Sequence, residues 1–211
     1  MKKITRVYEV YSYDELGEDA KEKALEALYD INTSYDWWDS GIECGEVAEK
    51  LKNAGIEVDV RGLSFDLDRG SFLYFSSFRR EREWVKGEYQ GIYIESHDKL
   101  ADALYKAKII SKKIQKAVHN GDLYFSIDTK HYGGGSGQNT LQIYAQTDKG
   151  YTINDTITEA QADDIDGWLT GTLEDMRIAL QKEYEYLTSR ESIEDTIKAN
   201  EYEFTIDGKL F

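Results

Sequence analysis

The sequence contains no proline. Folding therefore waits on no prolyl isomerisation, and no Pro-rich spacer divides the chain. Cysteine is almost as scarce. Cys44 stands alone, which excludes an intramolecular disulfide and a zinc site built from several thiolates. It lies in the polar run GIECGEV with no histidine or basic residue beside it in sequence, the setting of an incidental thiol rather than a nucleophile. The three histidines, His97, His119 and His131, are far apart and show no H-x-x-x-H spacing, so a histidine zinc site is not expected. No G-x-S-x-G, Walker or Cys/His motif is present. The chain is read as a non-enzyme, with no catalytic residue, metal or cofactor assigned. Long apolar runs are missing too: none reaches membrane-spanning length. Met1-Lys2-Lys3 is not followed by the apolar core of a secretory signal. A cytoplasmic protein without membrane attachment is the expectation.

Aromatic residues are plentiful. Sixteen Tyr, seven Phe and four Trp accompany a hydrophobic content of 40% in 211 residues. Each ring buries a large area, so the chain can build a core despite a mean hydropathy of -0.63. Charge is one-sided: 26 Lys and Arg face 41 Asp and Glu, a formal net charge of -15. That balance disfavours nucleic acid or anionic lipid over the bulk of the surface and suits high solubility or a basic partner.

Hydropathy patterning gives the elements. Ile4 to Tyr13 reads as a short strand and Asp14 to Asn32 as a helix, with Ala20, Ala24, Leu28 and Ile31 on its apolar face. Asp36-Trp37-Trp38-Asp39 opens a second helix to about Ala54, stopped by Gly55. Ile56, Val58 and Val60 alternate as a strand that Gly62 breaks. LSFDLDRGSFLYFSSF, from Leu63 to Phe78, reads as a hairpin turning at Arg69-Gly70. Asp98 to about Asn120 fits one helix carrying Lys99, Lys106, Lys108, Lys112, Lys113 and Lys116. Two strands, Leu123 to Lys130 and Thr140 to Thr147, flank the run His131-Tyr132-Gly133-Gly134-Gly135-Ser136-Gly137. Thr158 and Gln161 form a capping box before the longest helical pattern, to about Leu187. A helix near Ser192 to Ala199 and a strand at Tyr202, Phe204 and Ile206 follow. This order predicts an α+β fold with a mainly antiparallel sheet of about 6–7 strands, helices packed on it and a long C-terminal helix. A single domain over 1–211 is expected, with 1–95 and 96–211 as its sub-division.

Three features invite a chemical reading. Asp66, Asp68 and Arg69 gather at the hairpin tip as a contact point, but two carboxylates are too few for a hard-metal site, and polar alternation is what a half-buried strand requires. The glycine run joins two strands and does not open a helix, so it reads as a hairpin tip and not a phosphate cradle. The lysine-rich stretch, with only Tyr105 for stacking, is expected to be neutralised by the acidic C-terminal helices of the same molecule. Those helices concentrate the negative charge. Glu159, Asp163, Asp164, Asp166, Glu174, Asp175, Glu183, Glu185, Glu191, Glu194 and Asp195 are the candidate partner-binding residues.

The segments YDELGEDAKEKALEALYDINTSYDWWD, SFDLDRGSF and KEYEYLTSRESIEDTIKANEYEF resemble a family of small acidic proteins from bacteriophages, prophages and Firmicutes genomes. Members are often labelled hypothetical phage proteins or "antitoxin of a toxin–antitoxin stability system". The similarity covers the first ~80 and last ~45 residues best. It brings no catalytic residue, and implies mobile-element origin and a role at the phage–host interface inside the bacterial cell. Two functions of different classes stay open, beside a blander third, a phage housekeeping protein with a structural role. In one, the chain binds and inhibits a host defence or toxin protein, as an antitoxin, anti-CRISPR or other anti-defence protein. Its acidic surface then meets a basic one and imitates nucleic acid, with no direct nucleic-acid contact. In the other, it sequesters a small molecule or nucleotide signal, using Arg69, Arg79, Arg80, Arg82 and Lys130.

Overall fold

The computed structural model describes residues 7–38, 42, 45–68, 71–76, 91–132, 135–147, 150–153 and 157–211. Arg69, Gly70, Cys44, Arg79, Arg80, Arg82, Gly133 and Gly134 lie outside the described residues, as do Ile4 and the far end of the expected hairpin at Phe78. Two compact units emerge: Met1–Trp37 with Lys182–Phe211, and Trp38–Gln181.

The smaller unit joins the two ends of the chain. Strand β1 (Tyr11–Ser12) pairs antiparallel with β9 (Glu203–Phe204), placing Tyr11 opposite Phe204. Of the expected Ile4–Tyr13 strand, the described residues 7–10 lie outside any strand, and a 3₁₀ turn at Tyr13–Glu15 follows Ser12. The side chain of Glu15 closes that turn by accepting from the Ser12 N–H at 2.8 Å. Helix α1 (Glu18–Ala27) starts four residues later than the sequence suggests. It packs Ala20, Ala24 and Leu25 against Ile193 and Ile197 of α6 (Arg190–Ala199), with Tyr13, Leu16 and Phe204 completing the core. Small alanines on α1 let the helices approach closely, and the aromatic rings supply the buried area. One buried amide ties the unit together. Asn32 donates to the Leu187 carbonyl at 3.0 Å and the Ser192 hydroxyl at 3.1 Å, and accepts from Thr196 at 2.7 Å.

The larger unit holds the remaining strands. Helix α2 (Glu46–Asn53) leads through Gly55 into β2 (Ile56–Asp59), which pairs antiparallel with β5 (Gly91–Ile94). A 3₁₀ turn at Val60–Gly62 separates β2 from β3 (Leu63–Asp66), as the glycine predicts. β3 and β4 (Phe72–Phe75) form the expected hairpin, with Leu63 opposite Phe75 and Asp66 opposite Phe72. A long hairpin of β6 (Leu123–His131) and β7 (Gly137–Thr147) gains a third strand, β8 (Gly150–Ile153), that the sequence pattern does not reveal.

The single sheet of 6–7 strands is therefore corrected. The fold is α+β, but among the described residues its strands form three two-stranded pairs and one three-stranded meander. The ladders are short, and single bonds from outside them join one pair to the next. Ser76 donates to the Gly62 carbonyl at 2.9 Å and accepts from the Ile92 N–H at 2.8 Å, bridging two pairs at one residue. Gly91 makes that approach feasible: its φ is +98°, and a Cβ there would lie 1.6 Å from the Ser76 oxygen. Asn139 of β7 performs the other join. Its side-chain oxygen accepts from the Phe75 N–H at 2.7 Å, and its NH₂ donates to the Phe75 carbonyl at 2.6 Å. A carboxamide offers the same donor and acceptor as a peptide group, so one side chain replaces a rung of backbone ladder. Asn139 and Phe75 are both essentially fully buried.

The expected helix from Asp98 to Asn120 is two helices. α3 (His97–Lys106) and α4 (Lys112–His119) are separated by a turn in which Lys108 adopts φ +63°. Ser111 caps the second helix, accepting from the Ile114 N–H at 3.3 Å. The turn lets Leu100, Leu104, Ile110, Ile114 and Val118 all be buried, which the helix pair achieves by folding back. Finally, α5 (Glu159–Leu187) buries Ile165, Leu169, Thr172, Leu173, Met176 and Leu180 along one stripe. Its capping box is as expected: Gln161 accepts from the Thr158 N–H at 3.1 Å and donates its own N–H to the Thr158 hydroxyl at 3.3 Å.

Candidate functional site: an acidic cleft at the start of α5

Helical geometry sorts the acids of α5 by their distance from the buried stripe. Asp166 flanks it, and its carboxylate accepts from the Leu141 N–H at 2.7 Å. This acid closes the edge of β7 and is a structural bond within the fold. Glu174 is held by Arg177 through two hydrogen bonds of 2.8 and 2.7 Å. The guanidinium holds its carboxyl below the usual range. Asp175 stands 3.8 Å from Lys50. In the smaller unit, Glu194 accepts from Arg190 at 2.7 Å and from the Tyr13 hydroxyl at 3.1 Å. Burial works to raise the Glu194 carboxyl, but these donors outweigh it and leave it lowered. Burial and the same contact push the Tyr13 hydroxyl up to about 12. Arg190 also pairs with Glu22.

Six of the eleven candidate acids, Glu159, Asp163, Asp164, Glu183, Glu191 and Asp195, are exposed without a hydrogen bond or ion pair among the described residues. Glu185 is exposed as well. The eleven acids are divided between the two units. The first turns of α5 gather Glu159, Asp163 and Asp164 within six positions.

A cleft of about 430 Å³, lined by Glu159 and Asp163 but not by Asp164, lies between β7 and the start of α5. Leu141, Ile143, Ile157, Ala162 and Ile165 give it an apolar floor and flank. Glu159, Asp163 and Asp166 line it as acids, Lys130 is its one cation among the described lining residues, and Thr140, Gln142, Tyr144 and Thr158 add polar groups. Tyr144 donates to the Gln142 side chain. An apolar trough edged by carboxylates suits a long aliphatic side chain ending in a cation.

A second cleft, of about 740 Å³, brings together two residues that sequence reasoning kept apart. Asp66 of the hairpin and Glu174 of α5 both line it, with Phe72, Tyr132, Gln138 and Thr170. Asp66 caps its own turn by accepting from the Asp68 N–H at 2.8 Å. Asp68 is exposed and does not line this cleft. Thr170 carries a buried hydroxyl oxygen with no hydrogen-bond partner among the described residues. Ser136 and Gly137 of the glycine run border the same cleft, and Tyr74 donates to the neighbouring Gly135 carbonyl at 2.9 Å. That bond makes the described part of the run a packed turn.

No protein-family model, curated protein or solved structure matches the chain. Geometry alone must carry the reading. Among the described residues no group of three or more His, Cys, Asp or Glu is arranged to hold a metal ion, and no helix is long and apolar enough to cross a membrane.

Sequence reasoning passed over Asn139, Thr140, Gln142 and Tyr144. A signal for the first was available: asparagine is depleted in strand interiors, so one inside an apolar alternation marks a polar join. The expected neutralisation of the lysine-rich stretch is also corrected. Lys99, Lys106, Lys108, Lys112, Lys113 and Lys116 are all exposed, and none makes an ion pair among the described residues.

Proposed function

We propose that the chain is a binding protein of mobile-element origin that inhibits a host defence or toxin protein, in line with the family it resembles. The carrying observation is the conjunction of exposed Glu159, Asp163 and Asp164 with the apolar 430 Å³ cleft. A basic partner surface would place an Arg or Lys stem against Leu141 and Ile143 and its charged head among the carboxylates. This narrows the acidic surface from a long row to the first turns of α5. Imitation of a phosphate row gains less support. Along α5, Asp163 and Glu174 are eleven positions apart, on the order of 16 Å, and Glu174 is already matched by Arg177.

Sequestration of an anionic nucleotide has weaker support. Lys130 is the one cation among the described lining residues of the two clefts, whereas a polyphosphate calls for several converging donors.

The test uses the immobilised full chain and host lysate, with washes from 50 to 300 mM salt. A captured protein should be lost from the variant E159Q/D163N/D164N and should elute as salt rises. Glutamine and asparagine keep the shape and leave the Thr158–Gln161 cap intact. A captured protein indifferent to both salt and the triple substitution refutes the reading.

A further inference from the structure

The helix pair α3–α4 carries the opposite charge from the rest of the molecule. Its inner face is the buried set Leu100, Leu104, Ile110, Ile114 and Val118. Its outer face presents the six exposed lysines, Lys99, Lys106, Lys108, Lys112, Lys113 and Lys116. Of the two acids on this pair, Asp102 is already engaged. It accepts from Gln115 at 2.8 Å and lies 3.0 Å from the His119 ring nitrogen, clasping α3 to α4.

Two further observations point outward. Lys112 and Lys113 occupy the first turn of α4, which holds no acid. Cations at the positive end of a helix dipole are unfavourable unless an anion joins them. The face also has little to build a protein interface with. Lysine is depleted from such interfaces and aromatic residues are enriched, and Tyr105 is the large hydrophobic this helix pair exposes. A face of lysines with one exposed ring and no arginine on either helix suits a wet, purely electrostatic contact with phosphate oxygens.

We propose that the α3–α4 face is a docking surface for the phosphodiester backbone of double-stranded nucleic acid, read without regard to sequence. One exposed ring excludes a stacking mode for single strands. The strongly acidic remainder of the chain repels a long polyanion, so the contact is confined to a short stretch of duplex and is weak at physiological salt. This goes beyond the proposed inhibitory function, which uses the acids at the start of α5, and each can fail alone.

The test is fluorescence anisotropy with a labelled 16-base-pair DNA duplex, and an RNA duplex of the same sequence, titrated with the full chain from 50 to 200 mM salt. Contact with four phosphates gives a log–log slope of about -3.6, roughly a hundredfold loss of affinity over that range. The variant K106E/K112E/K113E/K116E should abolish binding at 50 mM, with an unchanged thermal melt showing that it folds. The milder set K106Q/K112Q/K113Q/K116Q should weaken binding by at least tenfold and serves if the first set fails to fold. The variant E159Q/D163N/D164N should bind duplex at least as well as the unaltered chain. Absence of binding at 50 mM overturns the proposal, as does binding that survives the lysine substitutions. Self-association without duplex that vanishes in the lysine variants would give the face to a second copy of the chain, and overturns it equally.

Discussion

Replacing Asn139 with leucine tests how the larger unit is held together. The two side chains branch alike and leucine's methyl groups are somewhat larger than the amide atoms, so the change removes polarity without opening a cavity. The Phe75 N–H, now 2.7 Å from the Asn139 oxygen, loses its acceptor in a buried site. The Phe75 carbonyl keeps the Thr129 hydroxyl at 3.1 Å, so one group is orphaned and not two. An unsatisfied buried donor costs about 1–3 kcal/mol, and the lost Asn139–Thr129 bond of 2.9 Å adds a share of about 1 kcal/mol. The net expectation is ~2–4 kcal/mol, a Tm lower by about 5–12 °C for a unit of this size. Circular dichroism melts at pH 7 measure it. Asn139→Asp is the companion. It keeps the acceptor but sets a carboxylate oxygen against the Phe75 carbonyl, an arrangement that holds only when the acid is protonated. Its folded pKa must therefore lie above its unfolded one. Its stability is retained at low pH and lost as pH rises through the folded value. A leucine variant that melts within 2 °C of the unaltered protein refutes the idea that this amide stands in for a rung of sheet.

Gly91→Ala should be among the most damaging single substitutions, since its Cβ would strike the Ser76 oxygen at a left-handed backbone. A loss above ~3 kcal/mol by urea denaturation is expected. Asp166→Ala should cost about 1–3 kcal/mol by orphaning the Leu141 N–H, while Asp166→Asn, which keeps an acceptor, should cost much less in the same assay. His97 supplies a pH dependence. Burial lowers its pKa below the ordinary 6.5, and Asp98 only partly opposes this. Its Nδ1 accepts from the Phe125 N–H at 3.3 Å, a role for the neutral ring. The unfolded chain thus binds the proton first, so stability is complete above about pH 6.5 and falls as pH drops toward the folded value. Denaturation at pH 7.5 and 5.5 should show a smaller difference in His97→Gln than in the unaltered chain.

Elements with strong local signals were legible in the sequence. The Leu63–Asp66 and Phe72–Phe75 hairpin, the Thr158–Gln161 cap and the long helix behind it follow from alternation, turn residues and capping chemistry. What local pattern cannot convey is which side chains substitute for backbone partners. The strand pairs are joined at Ser76 and Asn139 by bonds between residues far apart in sequence, and α3–α4 breaks where a lysine adopts a conformation that glycine usually takes. The acids show the same limit. Their number was plain, but Asp166, Glu174, Asp175 and Glu194 look no different in sequence from Asp163, and only the fold reveals that they are already engaged.

The union of β1 with β9 bears on how the chain acquires its structure. Tyr13 and Glu194 touch across 181 positions of sequence, so the smaller unit is a long-range closure. Bringing such distant segments together costs about 4–5 kcal/mol more entropy than a contact between neighbours. On a ribosome, α1 would emerge with Ala20, Ala24 and Leu25 uncovered and wait for nearly the whole chain before Ile193, Ile197 and Phe204 arrive. Assembly of this unit should therefore be the slow, late event of folding, and loss of the last strand should expose the first helix.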